Sequence, residues 1–262
     1  MSINPIAATK LISESYFSYL TTTFKLQNES LQNQFRANLT EKSRFIKGPI
    51  LEATPEFEKG KNILELIDEG IIPQAFLRLN NDALPLERSL YKHQEIAIRK
   101  ILAGKRNVVV ATGTGSGKTE SFLIPILSDL LGELSAGTLD PGVRALLLYP
   151  MNALANDQIK RLRELLKSCP EITFGRYTGE TEQEFGKAYE KYIEVFEEEP
   201  LKNELISRTQ MKKTPPHILL TNYAMLEYLL LRPEDSVFFD GPYAGKWKYI
   251  VIDEAHTFSG AR

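Results

Sequence analysis

The stretch Asn107-Val108-Val109-Val110-Ala111-Thr112-Gly113-Thr114-Gly115-Ser116-Gly117-Lys118-Thr119 joins a short apolar run to a glycine-rich turn. A helical pattern from Lys118 to Gly132 follows without a break. In that order, the turn sits at the carboxyl end of a buried strand and at the positive end of a helix. Three glycines let successive backbone N–H groups face one point, a cradle for phosphate oxygens. Lys118 is placed to reach the outer phosphates of a nucleotide, and the Thr119 hydroxyl to ligate Mg²⁺. The candidate nucleotide-binding segment is Thr112, Gly113, Thr114, Gly115, Ser116, Gly117, Lys118, Thr119 and Glu120, with Thr112 standing where the strict pattern has glycine.

A nucleotide held there needs an acidic element on a neighbouring strand, close to the terminal phosphate. Tyr249-Ile250-Val251-Ile252-Asp253-Glu254-Ala255-His256 supplies one, with four apolar residues to bury a strand and two carboxylates at its end. Asp253 is expected to hold Mg²⁺ through water, and Glu254 to orient or deprotonate the attacking water. Taken alone, Asp-Glu after an apolar strand is a solvated strand end. Joined to the phosphate loop, it reads as the second half of one site.

Working outward, Asn107–Ala111, Val143–Tyr149, Ile172–Gly175, His217–Thr221 and Tyr249–Ile252 read as buried strands. Helical patterns fit Tyr91–Leu102, Lys118–Gly132, Ala153–Ser168, Glu182–Val195 and Tyr223–Leu231. The alternation predicts an α/β fold, a parallel sheet covered by helices on both faces, with ligands at the carboxyl ends of its strands. Ahead of it, Ile6–Phe24 and Ser30–Leu39 read as amphipathic helices. From Ile46 to Leu86 the pattern is broken by Gly48-Pro49, Pro55, Gly70, Pro73 and Pro85, with one short helix at Ile63–Asp68. Residues 1–85 are thus expected to form a helical appendage and bridge, and residues 86–262 the α/β domain.

The 262 residues carry 32 basic and 34 acidic side chains, a net charge of -2, so a polyanionic partner must be met through local geometry and not a global field. The single cysteine, Cys169, allows no internal disulfide and suits a reducing cytoplasm. Met1–Leu20 lacks the apolar core of a signal peptide. The apolar stretch Phe122–Leu131 is broken by Pro125 and Asp129, well short of the roughly 18 residues a membrane span needs. No membrane association is expected.

With these motifs in place, the chain from residue 86 onward resembles the amino-terminal RecA-like lobe of DEAD/DEAH-box superfamily-2 helicases, and most of all the YprA-like branch. The tetrad Asp253-Glu254-Ala255-His256 and the loop ending Gly117-Lys118-Thr119 look like that family's two nucleotide motifs. The resemblance implies catalytic roles for Lys118, Asp253, Glu254 and His256. Leu90-Tyr91-Lys92-His93-Gln94 resembles the motif whose glutamine reads adenine, which implies that role for Gln94, with Tyr91 or Phe76 packed on the ring. Tyr149-Pro150-Met151-Asn152-Ala153, Thr178-Gly179-Glu180 and Thr221-Asn222-Tyr223 resemble motifs that touch the sugar–phosphate backbone. Pro150, Asn152, Ala153, Thr178, Gly179, Thr221, Asn222 and Tyr223 are the candidate DNA or RNA contacts.

By the same resemblance, the family hydrolyses ATP with Mg²⁺ between two RecA-like lobes, arginines of the second lobe completing the charge stabilisation of the departing phosphoryl group. The chain ends six residues past His256, so a partial helicase whose second lobe lies elsewhere is expected. Two other readings stay open: a stand-alone nucleotide-binding switch, and a different P-loop enzyme such as a small-molecule kinase. The kinase reading leaves Gln94, residues 150–158 and the Asp253–His256 tetrad without a purpose.

Overall fold

The computed structural model describes residues 4–41, 56–113, 115–240 and 242–258. The chain divides into two compact units, Met1–Glu56 and Phe57–Arg262. In the first, α1 (Pro5–Thr23) starts where the Asn4 side chain accepts the N–H groups of Ile6 and Ala7, with proline at the first helical position. Asn28 caps α2 (Glu29–Thr40) in the same way, by accepting the N–H of Leu31. Both helices begin and end within a residue of their expected bounds.

In the second unit, β1 (Ala145–Tyr149), β2 (Phe174–Arg176), β3 (Glu204–Leu205), β4 (Ile218–Asn222) and β5 (Tyr249–Ile252) form one parallel sheet in the order β3-β2-β4-β1-β5. Side chains alternate between two cores. Ala145, Leu147, Tyr149, Ile218 and Leu220 join the larger one, and Leu146, Leu148 and Leu219 the smaller. The larger core lies against α4 (Lys92–Leu102), α5 (Lys118–Ser135) and α6 (Asn152–Leu166). The smaller lies against α8 (Arg208–Lys213) and α9 (Tyr223–Leu231), through Met211, Met225 and Leu229. A strand covered on both faces must be apolar throughout, which is why β1 reads Ala-Leu-Leu-Leu-Tyr without a polar residue. Between β2 and β3 runs α7 (Phe185–Phe196).

Two expectations are corrected here. Asn107–Ala111 is not a strand, and Val109 is 93% exposed. An apolar run becomes a strand only beside another one, and among the described residues β5 is paired on its β1 side alone. Ile250 and Ile252 are accordingly 68% and 52% exposed, and they face Val108 and Val110 across a cavity of about 610 Å³.

The second correction concerns the expected bridge. Gly48-Pro49 and Pro55 lie outside the described residues, but from Phe57 onward the segment belongs to the second unit. α3 (Ile63–Asp68) opens on a reciprocal Asn62–Glu65 capping box, and Ile63, Leu66, Ile72, Phe76 and Leu79 are core residues. The Gly60 N–H donates to the Leu90 carbonyl and the Ile63 N–H to that of Leu86, tying the segment to the entrance of α4. Phe76 is fully buried there, so it cannot pack on a nucleotide base. Among the described residues, no helix is long and apolar enough to cross a membrane.

His217, buried just ahead of β4, makes the fold sensitive to acid. Its Nδ1 accepts the Thr173 N–H at 2.9 Å and its Nε2 donates to the Asp140 carbonyl at 3.2 Å, a fully used neutral ring. Burial, seconded by the nearby Arg144 charge, holds its pKa down to about 4. The unfolded chain takes up this proton near pH 6.5, the native one only near 4. Stability should be full above pH 6.5 and fall by about 3 kcal/mol as the pH drops to 4. Urea titrations across this range should show a milder acid limb in His217→Gln; an identical limb would refute the assignment.

Candidate functional site

The glycine turn folds as a loop against the start of α5. Gly115 and Gly117 have φ of 74° and 69°, the left-handed region open to glycine. A Cβ on Gly117 would come within 2.6 Å of the Gln94 amide nitrogen, so the loop and Gln94 are fitted to one another. Thr112 and Ser116 hydroxyls lie 2.6 Å apart, and the Lys118 ammonium donates to the carbonyls of Thr112 (3.0 Å) and Gly113 (3.1 Å). Thr119 is half-buried in the first turn of α5. Thr114 lies outside the described residues.

Gln94 is buried, and both ends of its amide are used within the protein. Its oxygen accepts the Tyr91 N–H at 2.7 Å, and its nitrogen donates to the Gly117 carbonyl at 2.7 Å. In this arrangement it clamps the loop. Beside it, Tyr91 stacks on His93, whose Nε2 meets the Ser116 carbonyl at 3.0 Å, and Phe57 packs against both rings. Phe57 carried no signal in the sequence, since it lies 34 positions before Tyr91 in a segment without periodicity. Glu120 turns to two arginines, Arg161 at 2.6 Å and Arg88 at 3.3 Å.

At the end of β5, the Asp253 N–H extends the ladder to the Leu148 carbonyl, and the Asp253 carboxylate accepts the Glu254 N–H at 3.0 Å. Glu254 has a φ of 49°, a conformation that costs a non-glycine residue energy and turns the chain sharply. Its carboxylate meets His256 Nδ1 at 3.3 Å. Lys118 and Asp253, 135 positions apart in sequence, line the same 610 Å³ cavity. Burial pushes the Asp253 carboxyl above its usual range, the Glu254 charge adding to this and Lys118 opposing it. A carboxylate so placed favours a nearby cation. Among the described residues no group of three or more His, Cys, Asp or Glu side chains is placed to hold a metal ion.

The third set of candidates follows three adjacent strands, β2, β4 and β1. Asn222, Asn152 and Glu180 form a chain: the Asn222 amide donates to Asn152 at 2.9 Å, and the Asn152 amide donates to Glu180 at 2.9 Å. Gly179, Ala153 and Tyr223 are exposed, and Pro150 is partly so. Thr178 and Thr221 are fully buried; the Thr221 hydroxyl donates to the Tyr177 carbonyl at 2.7 Å. Neither threonine side chain is at the surface. Arg176, which sequence reasoning passed over, is drawn into the same network by Asn156 and Glu180.

The sequence profile described as DEAD/DEAH box helicase matches residues 91–262. The chain belongs to this family. The Druantia protein DruE of Escherichia coli is 30% identical over 96% of this chain and 18% of its own length. An uncharacterized ATP-dependent helicase of Bacillus subtilis, YprA, is 30% identical over 80% of this chain and 23% of its own. Among solved structures, the DUF1998 helicase MrfA bound to DNA and AMPPNP superposes with a TM-score of 0.55 at 26% identity, covering 79% of this chain and 23% of that one. The chain therefore spans about a fifth of the length of these helicases. Its second unit is a RecA-like α/β helicase lobe, as the motif order implied. The matched residues start at Tyr91, inside the loop-clamping group, and run through the strand-end network to the Asp253–His256 tetrad.

Proposed function

We propose that this chain forms the nucleotide-binding lobe of an ATP-driven helicase or translocase acting on DNA or RNA. The observation that carries the reading is that Lys118, which follows the glycine loop, and Asp253, which ends β5, line one cavity bounded by residues 105–110, α5 and β5. The loop N–H groups and Lys118 would hold the phosphates, and Thr119 and Asp253 would hold Mg²⁺. A bound Mg²⁺ neutralises charge developing on the phosphate oxygens. Glu254, held beside Asp253 and against His256, would orient the attacking water and take its proton. Gln94 keeps the loop in register, and its neighbour Tyr91, with Phe57, offers the aromatic surface nearest the loop for a base.

Single-stranded DNA or RNA would lie across the loops after β1, β2 and β4. Exposed groups at Pro150–Ala153, Gly179 and Asn222–Tyr223 support contact with the sugar–phosphate backbone; because these groups are uncharged, the salt slope should be shallow, about -1. Fluorescence anisotropy with labelled oligonucleotides should show binding in the range of about 10⁻⁴ to 10⁻⁶ M, weakened only about fourfold by a fourfold rise in salt. Strongly base-specific binding would contradict backbone contact.

A further inference from the structure

The hydrogen bonds around Glu180 have a fixed direction. Asn222 caps α9 by accepting the Met225 N–H on its side-chain oxygen, so only its NH₂ is left to face Asn152. Asn152 must therefore present its oxygen to Asn222 and its NH₂ to Glu180, which accepts it at 2.9 Å. From the other side the Arg176 guanidinium meets the second carboxylate oxygen of Glu180 at 3.2 Å. Arg176 is itself steadied by the side chain of Asn156. Donors from two elements, α6 and β2, thus converge on one carboxylate, the arrangement by which proteins hold a phosphate.

Glu180 is the least secured member of this group. Its side chain is 53% exposed, against 24% for Arg176. It stands in the turn with Gly179, where an added Cβ would meet nothing within 4 Å, so the space above the turn is open. On the flank, Lys191 donates to the Glu180 carbonyl and pairs with Glu182 at 2.8 Å, leaving the Glu180 carboxylate to Asn152 and Arg176. A half-exposed pair of this kind is weak and readily exchanged.

We infer that the Glu180 carboxylate is an internal stand-in for a backbone phosphate, occupying the Asn152–Arg176 donor pair until a nucleic-acid strand displaces it. This rests on the polymer contacts proposed above. In this arrangement Asn152 and Arg176 bind the polymer, Asn222 positions Asn152, and Glu180 lowers affinity so that the strand is released easily. The exchange adds one phosphate contact, that of Arg176, only when the carboxylate swings out.

The test is anisotropy of labelled oligo-dT and oligo-rU across a salt series, with the wild-type chain, Glu180→Gln, Arg176→Met and the double variant. Glu180→Gln should bind about fivefold more tightly. Its salt slope should match the wild type, whose complex already holds the Arg176 contact, and Arg176→Met should make the slope shallower by about 0.7, one phosphate on a single strand. The double variant should lose the tightening, which separates release of Arg176 from a general change in charge. Thermal melting of Glu180→Gln, expected to match wild type, checks the fold. Wild-type binding without any tightening in Glu180→Gln would overturn the inference alone. Failure of the wild type and every variant to bind either strand would overturn the polymer reading and this inference with it.

Discussion

Replacing Lys118 with alanine should abolish most of the stabilisation that MgATP or MgADP confers on this chain. At a ligand concentration of 100 Kd, binding to the wild type raises stability by about 2.7 kcal/mol. For a chain of this size that is roughly 5–10 °C in Tm. Lys118 lies across the mouth of the loop, its ammonium on the carbonyls of Thr112 and Gly113, and it shares the cavity with Asp253. A phosphate entering there would exchange neutral carbonyl partners for an anionic one, a charge-assisted contact about twice as strong as a neutral hydrogen bond. Truncating one member of such a pair costs about 2–5 kcal/mol of binding. A hundredfold rise in Kd leaves only about 0.4 kcal/mol of stabilisation at the same ligand concentration. The fold should survive, because Lys118 is outside both cores. A ligand-induced shift in Tm that is undiminished in Lys118→Ala would remove this loop from the nucleotide site.

Steady-state phosphate release by the purified 262-residue chain should stay near background, with or without nucleic acid. Family resemblance puts the departing phosphoryl group between two RecA-like lobes, and the described residues fold one sheet of that kind. On the proposed reading, Asp253, Glu254 and Lys118 would supply metal binding, water orientation and one positive charge on a single side of that group. Arginines delivered from a facing lobe are worth roughly 10³ to 10⁵ in rate, about 4–7 kcal/mol of barrier. Orientation of water by Glu254 cannot make up that difference. Adding a second RecA-like lobe from a homologous helicase should restore turnover, and Glu254→Gln should then remove it. Release of several phosphates per second by the chain alone, lost in Glu254→Gln, would show that one lobe suffices or that self-association supplies the missing charge.

The sequence by itself determined the elements whose signals are local. Gly115, Gly117 and Lys118 identify the loop, because a left-handed turn and a helix start need only neighbouring residues. Tyr223–Leu231 and Ile63–Asp68 were legible to the residue, each opened by an asparagine cap. The parallel order followed from apolar runs alternating with helical ones. Such signals also predicted that Asp253 and Lys118 belong to one site.

Tertiary structure decided whatever depends on a distant partner. Val108–Val110 are as apolar as β1, yet they make no strand, because a ladder needs a neighbour and periodicity does not say whether one is adjacent. Residues 57–86 are broken by glycine and proline, which suggested a bridge wrapped on the larger body; burial of Ile63, Phe76 and Leu79 against α4 and α5 makes them part of its core. The two-residue strand β3 exists only because it lies against β2. Gln94 was legible as a candidate for the site, but its commitment to the Gly117 carbonyl depends on the approach of α4 to the loop. The linkage of Asn222, Asn152, Glu180 and Arg176 was invisible for the same reason, since four side chains up to 70 positions apart meet only when β2, β4 and β1 are placed side by side.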